Sequence, residues 1–100
     1  MAFTIEITDL AYNELRAVKK FYRVQIIEAI DEQLPYEPTL QTKNRKILIG
    51  VNPDFEHEPP VWELRIGEYR VFYDVNEESK TVLVRAVRNK PPHATTEQVI

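Results

Sequence analysis

One hundred residues, 43% of them hydrophobic, with a net charge of −3 and no cysteine, suffice for one domain over 1–100 built on a single core. The composition excludes disulfides and thiolate metal sites and fits a reducing cytoplasm. No run approaches the ~20 apolar residues of a membrane span and no leader-like segment opens the chain, so no membrane partner is expected. The acidic balance also argues against strong nonspecific nucleic-acid binding. The charge is uneven, however: Asp31, Glu32, Glu37, Asp54, Glu56 and Glu58 lie early, while Arg85, Arg88 and Lys90 cluster late.

Phe3-Thr4-Ile5-Glu6-Ile7 alternates apolar and polar, which predicts a first strand with Phe3, Ile5 and Ile7 inward. Thr8 or Asp9 can then cap a helix, because a short side-chain oxygen accepts from the free amides of a first turn. Ala11, Leu15, Val18 and Tyr22 recur at helical spacing opposite Asn13, Glu14, Arg16, Lys19 and Lys20. A second stripe of Ile26 or Ile27, Ile30 and Leu34 runs to Pro35, which ends it. One helix over 9–34 would be about 39 Å long at 1.5 Å per residue, too long for so small a domain. The phase shift of the stripe therefore predicts a helical hairpin bent near 19–23.

Residues 35–60 hold five prolines, Pro35, Pro38, Pro53, Pro59 and Pro60, and read as irregular chain with one short strand at Lys46-Ile47-Leu48-Ile49. Beyond them, Val61-Trp62-Glu63-Leu64-Arg65-Ile66, Tyr69-Arg70-Val71-Phe72-Tyr73-Asp74-Val75 and residues 81–88 are period-2 runs joined by short polar turns. They predict an antiparallel meander, its first turn made by Gly67-Glu68, since glycine takes positive φ without a Cβ clash. Trp62, Leu64 and Ile66 share one face with Tyr69, Val71, Tyr73 and Val75. Glu63, Arg65 and Arg70 gather on the other. Asn89-Lys90-Pro91-Pro92-His93 breaks the last strand, and Thr95 with Gln98 three residues on can cap one helical turn. The fold class is α+β: an N-terminal strand, a helical hairpin, then an antiparallel sheet of three to four strands with helices on one face.

Two glycines exclude a phosphate loop, a dinucleotide fingerprint and a nucleophile elbow. His57-Glu58 fails the HExxH spacing because position 61 is valine, so no metal site and no cofactor is expected. Ser79 is the sole serine and lies in a turn. The remaining constellation is basic: Arg65, Arg70, Arg85, Arg88 and Lys90, with Arg45 and Lys46 from the loop and His93 just beyond. Guanidinium forks on a rigid sheet suit phosphate oxygens. RNA cleavage by in-line attack of the 2′-hydroxyl needs a proton acceptor, a proton donor for the 5′-oxygen, and cations for the phosphorane. Arg70 and Lys90 can supply charge, His93 or Lys90 a proton, and Glu63, His57 or Glu58 can accept one. For each residue singly, a solvated surface charge is the competing explanation.

The run Trp62-Glu63-Leu64-Arg65-Ile66-Gly67-Glu68-Tyr69-Arg70-Val71-Phe72-Tyr73-Asp74-Val75 resembles the W-x-L-R-x-G-x-Y-R-V-x-Y-x-V signature of the RelE/ParE toxin superfamily. Asn44-Arg45-Lys46 and Ala86-Val87-Arg88-Asn89-Lys90 resemble the same superfamily, and the β-α-α-β-β-β order agrees along nearly the whole chain. The resemblance implies a toxin of a type II toxin–antitoxin module, held inactive by a cognate antitoxin. RelE-like members cleave mRNA in the ribosomal A site, whereas ParE-like members poison DNA gyrase. Arg70 falls on the arginine with which RelE-like nucleases stabilise the scissile phosphate, and Lys90 on a second catalytic basic position. Val61 and Glu63 stand where such enzymes carry lysines, and Thr95 and Thr96 where a tyrosine lies, with His93 as a substitute. The implied reading is a ribosome-dependent endoribonuclease with ribosome and mRNA as partners, catalysis on Arg70, Lys90, His93 and Glu63, and RNA contacts from Arg45, Lys46, Arg65, Arg85 and Arg88. The alternative is a non-nuclease acting on a protein target or binding only an antitoxin. The surroundings of Arg70 discriminate between them: Lys90, Arg88 or Arg85 on the same concave face with His93 or a carboxylate favours the nuclease, whereas Arg70 tied up in a salt bridge to Asp74 or Glu63 counts against it.

Overall fold

A computed structural model describes residues 2–100. In chain order it contains β1 (Thr4–Ile7), α1 (Asp9–Ala17), α2 (Lys20–Gln33), β2 (Arg45–Leu48), β3 (Val61–Ile66), β4 (Tyr69–Asn76), β5 (Thr81–Asn89) and α3 (Thr96–Val99). The strands form one five-stranded sheet of order β1-β5-β4-β3-β2. β1 joins it parallel to β5, and the other pairings are antiparallel. The expected α+β architecture therefore holds, with the N-terminal strand completing an edge of the meander's sheet.

The Thr8 hydroxyl caps α1, accepting from the Ala11 amide at 3.3 Å and donating to the Arg85 carbonyl at 3.2 Å. One side chain thus satisfies a free helix amide and ties α1 to β5. The hairpin bends at Val18 and Lys19, both extended with ψ of 140° and 142°. The bend rotates the apolar stripe so that Ala11, Leu15, Ile26, Ile30 and Leu34 all face the sheet, each at most 6% exposed. Tyr22 and Ile7, expected inward, remain 42% and 38% exposed.

Against the helices lie Trp62, Leu64, Val71 and Tyr73, which alternation predicts inward on β3 and β4, together with Val82, Val84 and Val87 of β5. Each fully buried aliphatic side chain contributes roughly 1.5–3 kcal/mol relative to exposure. Trp62 and Tyr73 stack at 6.3 Å, and the Tyr73 hydroxyl donates to the Pro38 carbonyl at 2.7 Å. That bond satisfies a phenol inside the core and anchors the start of the irregular segment.

The second sheet face differs from the solvated surface that alternation suggests. Phe55, Val61, Phe72 and Ala86 form a second buried cluster, joined by Leu48, Val99 and Ile100. The irregular segment and α3 fold over this face, and Phe55 packs on Phe72 at 5.9 Å. The Glu58 amide donates to Asp74 Oδ2 at 2.9 Å, fastening the segment. In β5 the pairing skips Arg85: Phe72 opposes Ala86 and Tyr73 opposes Val84. This bulge lets Arg85 and Ala86 share the outer side while Val87 returns to the core.

Candidate functional site

Three arginines form one row across the sheet, Arg65 paired with Arg70 and Arg70 with Arg88. Like charges directly opposite repel, so the row requires acceptors. The Arg70 guanidinium donates from Nη1 to the carbonyls of Gly67 and Tyr69, both at 2.8 Å, and its Nε lies 3.4 Å from Glu63 Oε1. Burial lowers the Arg70 pKa, the Glu63 carboxylate raises it and Arg65 lowers it further. An arginine nevertheless stays charged at neutral pH.

Glu63 is the centre of the arrangement. It is 3% exposed, with Lys46 Nζ 3.6 Å from Oε2, and accepts from the Thr96 hydroxyl at 3.2 Å and 3.3 Å. Lys46 faces it because β2 and β3 place the two in register. Thr96 reaches it because the Thr95 amide donates to Gln98 Oε1 at 2.8 Å, closing the one-turn α3 over the sheet.

Arg70, Glu63, Lys46, Arg65, Lys90 and Thr96 line a cavity of about 240 Å³ together with residues 42–45. Lys90 is set by its amide, which donates to the Glu68 carbonyl at 2.6 Å across the β3–β4 turn. The cavity thus unites Arg70, Lys90, Glu63, Lys46 and Arg65 of the expected set. Arg45 contributes to its wall, but its Nη1 donates to the carbonyls of Gln33, Tyr36 and Glu37 at 3.2, 3.0 and 2.9 Å. That guanidinium neutralises the carboxyl-terminal end of α2.

The other expected residues are placed elsewhere. Arg85 is 8% exposed and donates from Nε to Asp74 at 2.8 Å, because the bulge turns it onto that carboxylate. Arg88 bonds Glu14 of α1 and the Val99 carbonyl. It bends around the sheet edge because β1 stops short and leaves that end of β5 to α1. His93 is exposed and outside the cavity wall, since Pro91 and Pro92 carry the chain away from β5. His57 Nδ1 lies 2.8 Å from the Phe55 carbonyl, and Glu58 is fastened through its backbone; neither reaches the cavity. Lys43 and Thr96 also line it, and neither is legible as a site residue in the sequence. Lys43 carries only the signal of a basic loop, and nothing local relates Thr96 to Glu63, 33 positions away.

A family profile described as the ParE toxin of the type II toxin–antitoxin system parDE matches residues 5–90. The chain belongs to the RelE/ParE family of type II toxin–antitoxin toxins. No curated protein matches the toxin at a significant level. Among solved structures, the archaeal RelE–RelB complex of Pyrococcus horikoshii OT3 is similar at 25% identity and a TM-score of 0.70, over 92% of this toxin and 99% of that chain. A free mutant of Escherichia coli RelE aligns at 28% identity and a TM-score of 0.63, covering 90% and 84% of the two chains. The RelBE2 complex of Mycobacterium tuberculosis shares the fold at 22% identity and a TM-score of 0.70, covering 90% and 100%. Among the toxin's described residues no helix is long and apolar enough to cross a membrane, and no group of three metal-ligating side chains occurs.

Proposed function

We propose that this toxin is neutralised by a cognate antitoxin and, when released, cleaves mRNA on the ribosome through the cavity at Arg70. Complexes with RelB in the archaeal relative support the antitoxin. The observation that carries the cleavage reading is a buried carboxylate, Glu63, paired with Lys46 and Arg70 in one small cavity that Lys90 also lines. Cations that balance a carboxylate at rest can transfer their attraction to an arriving phosphate. Glu63, relieved of them, takes the proton of the 2′-hydroxyl as its oxygen attacks phosphorus. Lys46 and Arg70 hold the phosphorane charge, and Lys90 protonates the departing 5′-oxygen. The products are a 2′,3′-cyclic phosphate and a 5′-hydroxyl, with every proton accounted for.

The test is induced expression without antitoxin, comparing wild type, Arg70→Ala and Lys90→Ala for growth arrest and in-frame mRNA cleavage. Loss of cleavage in both variants supports the reading. A second reading, a non-nuclease acting on a protein such as gyrase, is favoured by the three acceptors that already occupy the Arg70 guanidinium. Growth arrest with intact transcripts would select it.

A further inference from the structure

Arg16, Lys19, Lys20 and Arg23 place four cations within eight positions of a chain whose net charge is −3. Among the described residues none has a carboxylate within ion-pair reach. The placement of two of them is costly, since Lys19 and Lys20 open α2 with no acid in its first turn, where cations oppose the helix dipole. Exposed aromatics stand among them: Phe21 is 68% exposed, Tyr12 55% and Tyr22 42%. Arg16 lies over the Tyr12 ring at 5.8 Å. Cations interleaved with open ring faces are the chemistry that grips single-stranded nucleic acid, phosphates on the charges and bases on the rings.

The patch adjoins a groove at the end of the sheet. Tyr22 leans on Tyr69 at 5.6 Å, and two concavities of about 520 and 430 Å³ share Tyr22, Tyr69 and Asn89, with Lys19 on the first. Tyr69 and Asn89 immediately precede Arg70 and Lys90, which line the cavity on the opposite face. The groove and the cavity are thus the back and front of one sheet end, separated by the Gly67-Glu68 turn. Of the two carboxylates in the groove, Glu14 is neutralised by Arg88, and Glu68 alone stands against a polyanion.

We propose that this helical hinge and groove form a second RNA-contacting surface, taking the single-stranded segment that flanks the phosphate held at Arg70. The proposal rests on the cleavage reading and adds a place for the rest of the strand. Lys19 and Lys20 meet phosphates, and Tyr22 offers its ring to a base.

The test uses the full chain and a fluorescent, 2′-O-methylated RNA of about 12 nucleotides, which cannot be cleaved, followed by anisotropy across salt concentrations. The double variant Lys19→Glu/Lys20→Glu is expected to bind about 10-fold more weakly and to flatten the salt dependence by roughly one to two units of slope. Tyr22→Ala should weaken binding several-fold without changing the slope, since it removes stacking and no charge. Melting curves check that these exposed substitutions leave the fold intact. Unchanged affinity and slope in the double variant, with both reduced in Arg70→Ala, would overturn this surface and leave the cleavage site standing. No RNA binding by the wild type would overturn this surface and leave the ribosome-dependent cleavage reading to the expression test. Retained RNA affinity alongside lost binding of a poly-glutamate peptide would reassign the patch to an acidic protein segment.

Discussion

Arg70 and Glu63 meet at 3.4 Å on neighbouring strands, both under 9% exposed. A buried ion pair adds little net stability, but removing one partner strands the other charge at a cost of about 3–5 kcal/mol. Lys46 and Thr96 remain on Glu63 when Arg70 is lost, whereas Arg70 loses its carboxylate when Glu63 is lost. Glu63→Ala should therefore lower stability by about 3 kcal/mol and Arg70→Ala by less, measurable by urea unfolding. Glu63→Gln keeps shape and the Thr96 contact but cannot accept a proton, so cleavage should fall by about 10²–10⁴-fold with the fold retained.

Asp74 is a structural counterpart to Glu63. It is 2% exposed and accepts from Arg85 Nε and the Glu58 amide. Asp74→Ala leaves the Glu58 amide unpaired and the buried Arg85 guanidinium with only the exposed Glu56 carboxylate at 3.5 Å, an expected loss of about 3 kcal/mol. Hydrogen exchange should show the 54–60 segment opening first, because its fastening to the sheet is gone. Exchange that rises uniformly across the sheet would contradict that order.

The contrast between the two carboxylates shows what was legible in the sequence. Alternation placed Trp62, Leu64, Val71 and Tyr73 inward, and the phase shift near Lys19 gave the hairpin, because both follow from local geometry. Alternation also grouped Glu63, Arg65 and Arg70, but it carries no information on what covers a face. Phe55, Val99 and Ile100 bury that side from distant parts of the chain. The bulge at Arg85 breaks the period without any glycine or proline to announce it. Glu14, polar and opposite the helical stripe, reads as a surface residue until the shortness of β1 brings it against β5. Late arginines that read as one basic patch with Arg70 are thereby divided between Asp74 and Glu14.

Burial raises the Tyr73 pKa, and Arg45 acts in the opposite sense without overcoming it. The folded state therefore holds this proton above the pH at which an unfolded tyrosine, with a pKa of about 10, releases it. The resulting stability is complete below about pH 10 and declines as pH rises from there toward the raised folded value. Tyr73→Phe should lose about 1 kcal/mol at neutral pH, through the bond to Pro38, and should unfold less steeply above pH ~10. Denaturation midpoints across alkaline pH measure both effects; parallel curves would exclude Tyr73 as the titrating group.

Glu14 holds the one stretch of β5 that β1 cannot reach. One carboxylate oxygen accepts from the Val87 amide at 3.0 Å and the other from Arg88 Nε. Glu14→Ala leaves the amide without a partner and Arg88 with only the Val99 carbonyl and the exposed Asp54 at 3.9 Å, an expected cost of about 1–3 kcal/mol. Exchange at the Val87 amide should accelerate well beyond that at Val84, which pairs with Ile7 of β1. Glu14→Gln tests the two functions apart: its amide oxygen can still accept from Val87, but the charge that holds Arg88 is gone. Slow exchange at Val87 with a loosened carboxyl-terminal turn is the expected pattern, because Arg88 also donates to the Val99 carbonyl. A turn that stays closed would show that the Thr96 bond to Glu63 and apolar packing on the Phe55–Phe72 cluster suffice to hold Val99 and Ile100.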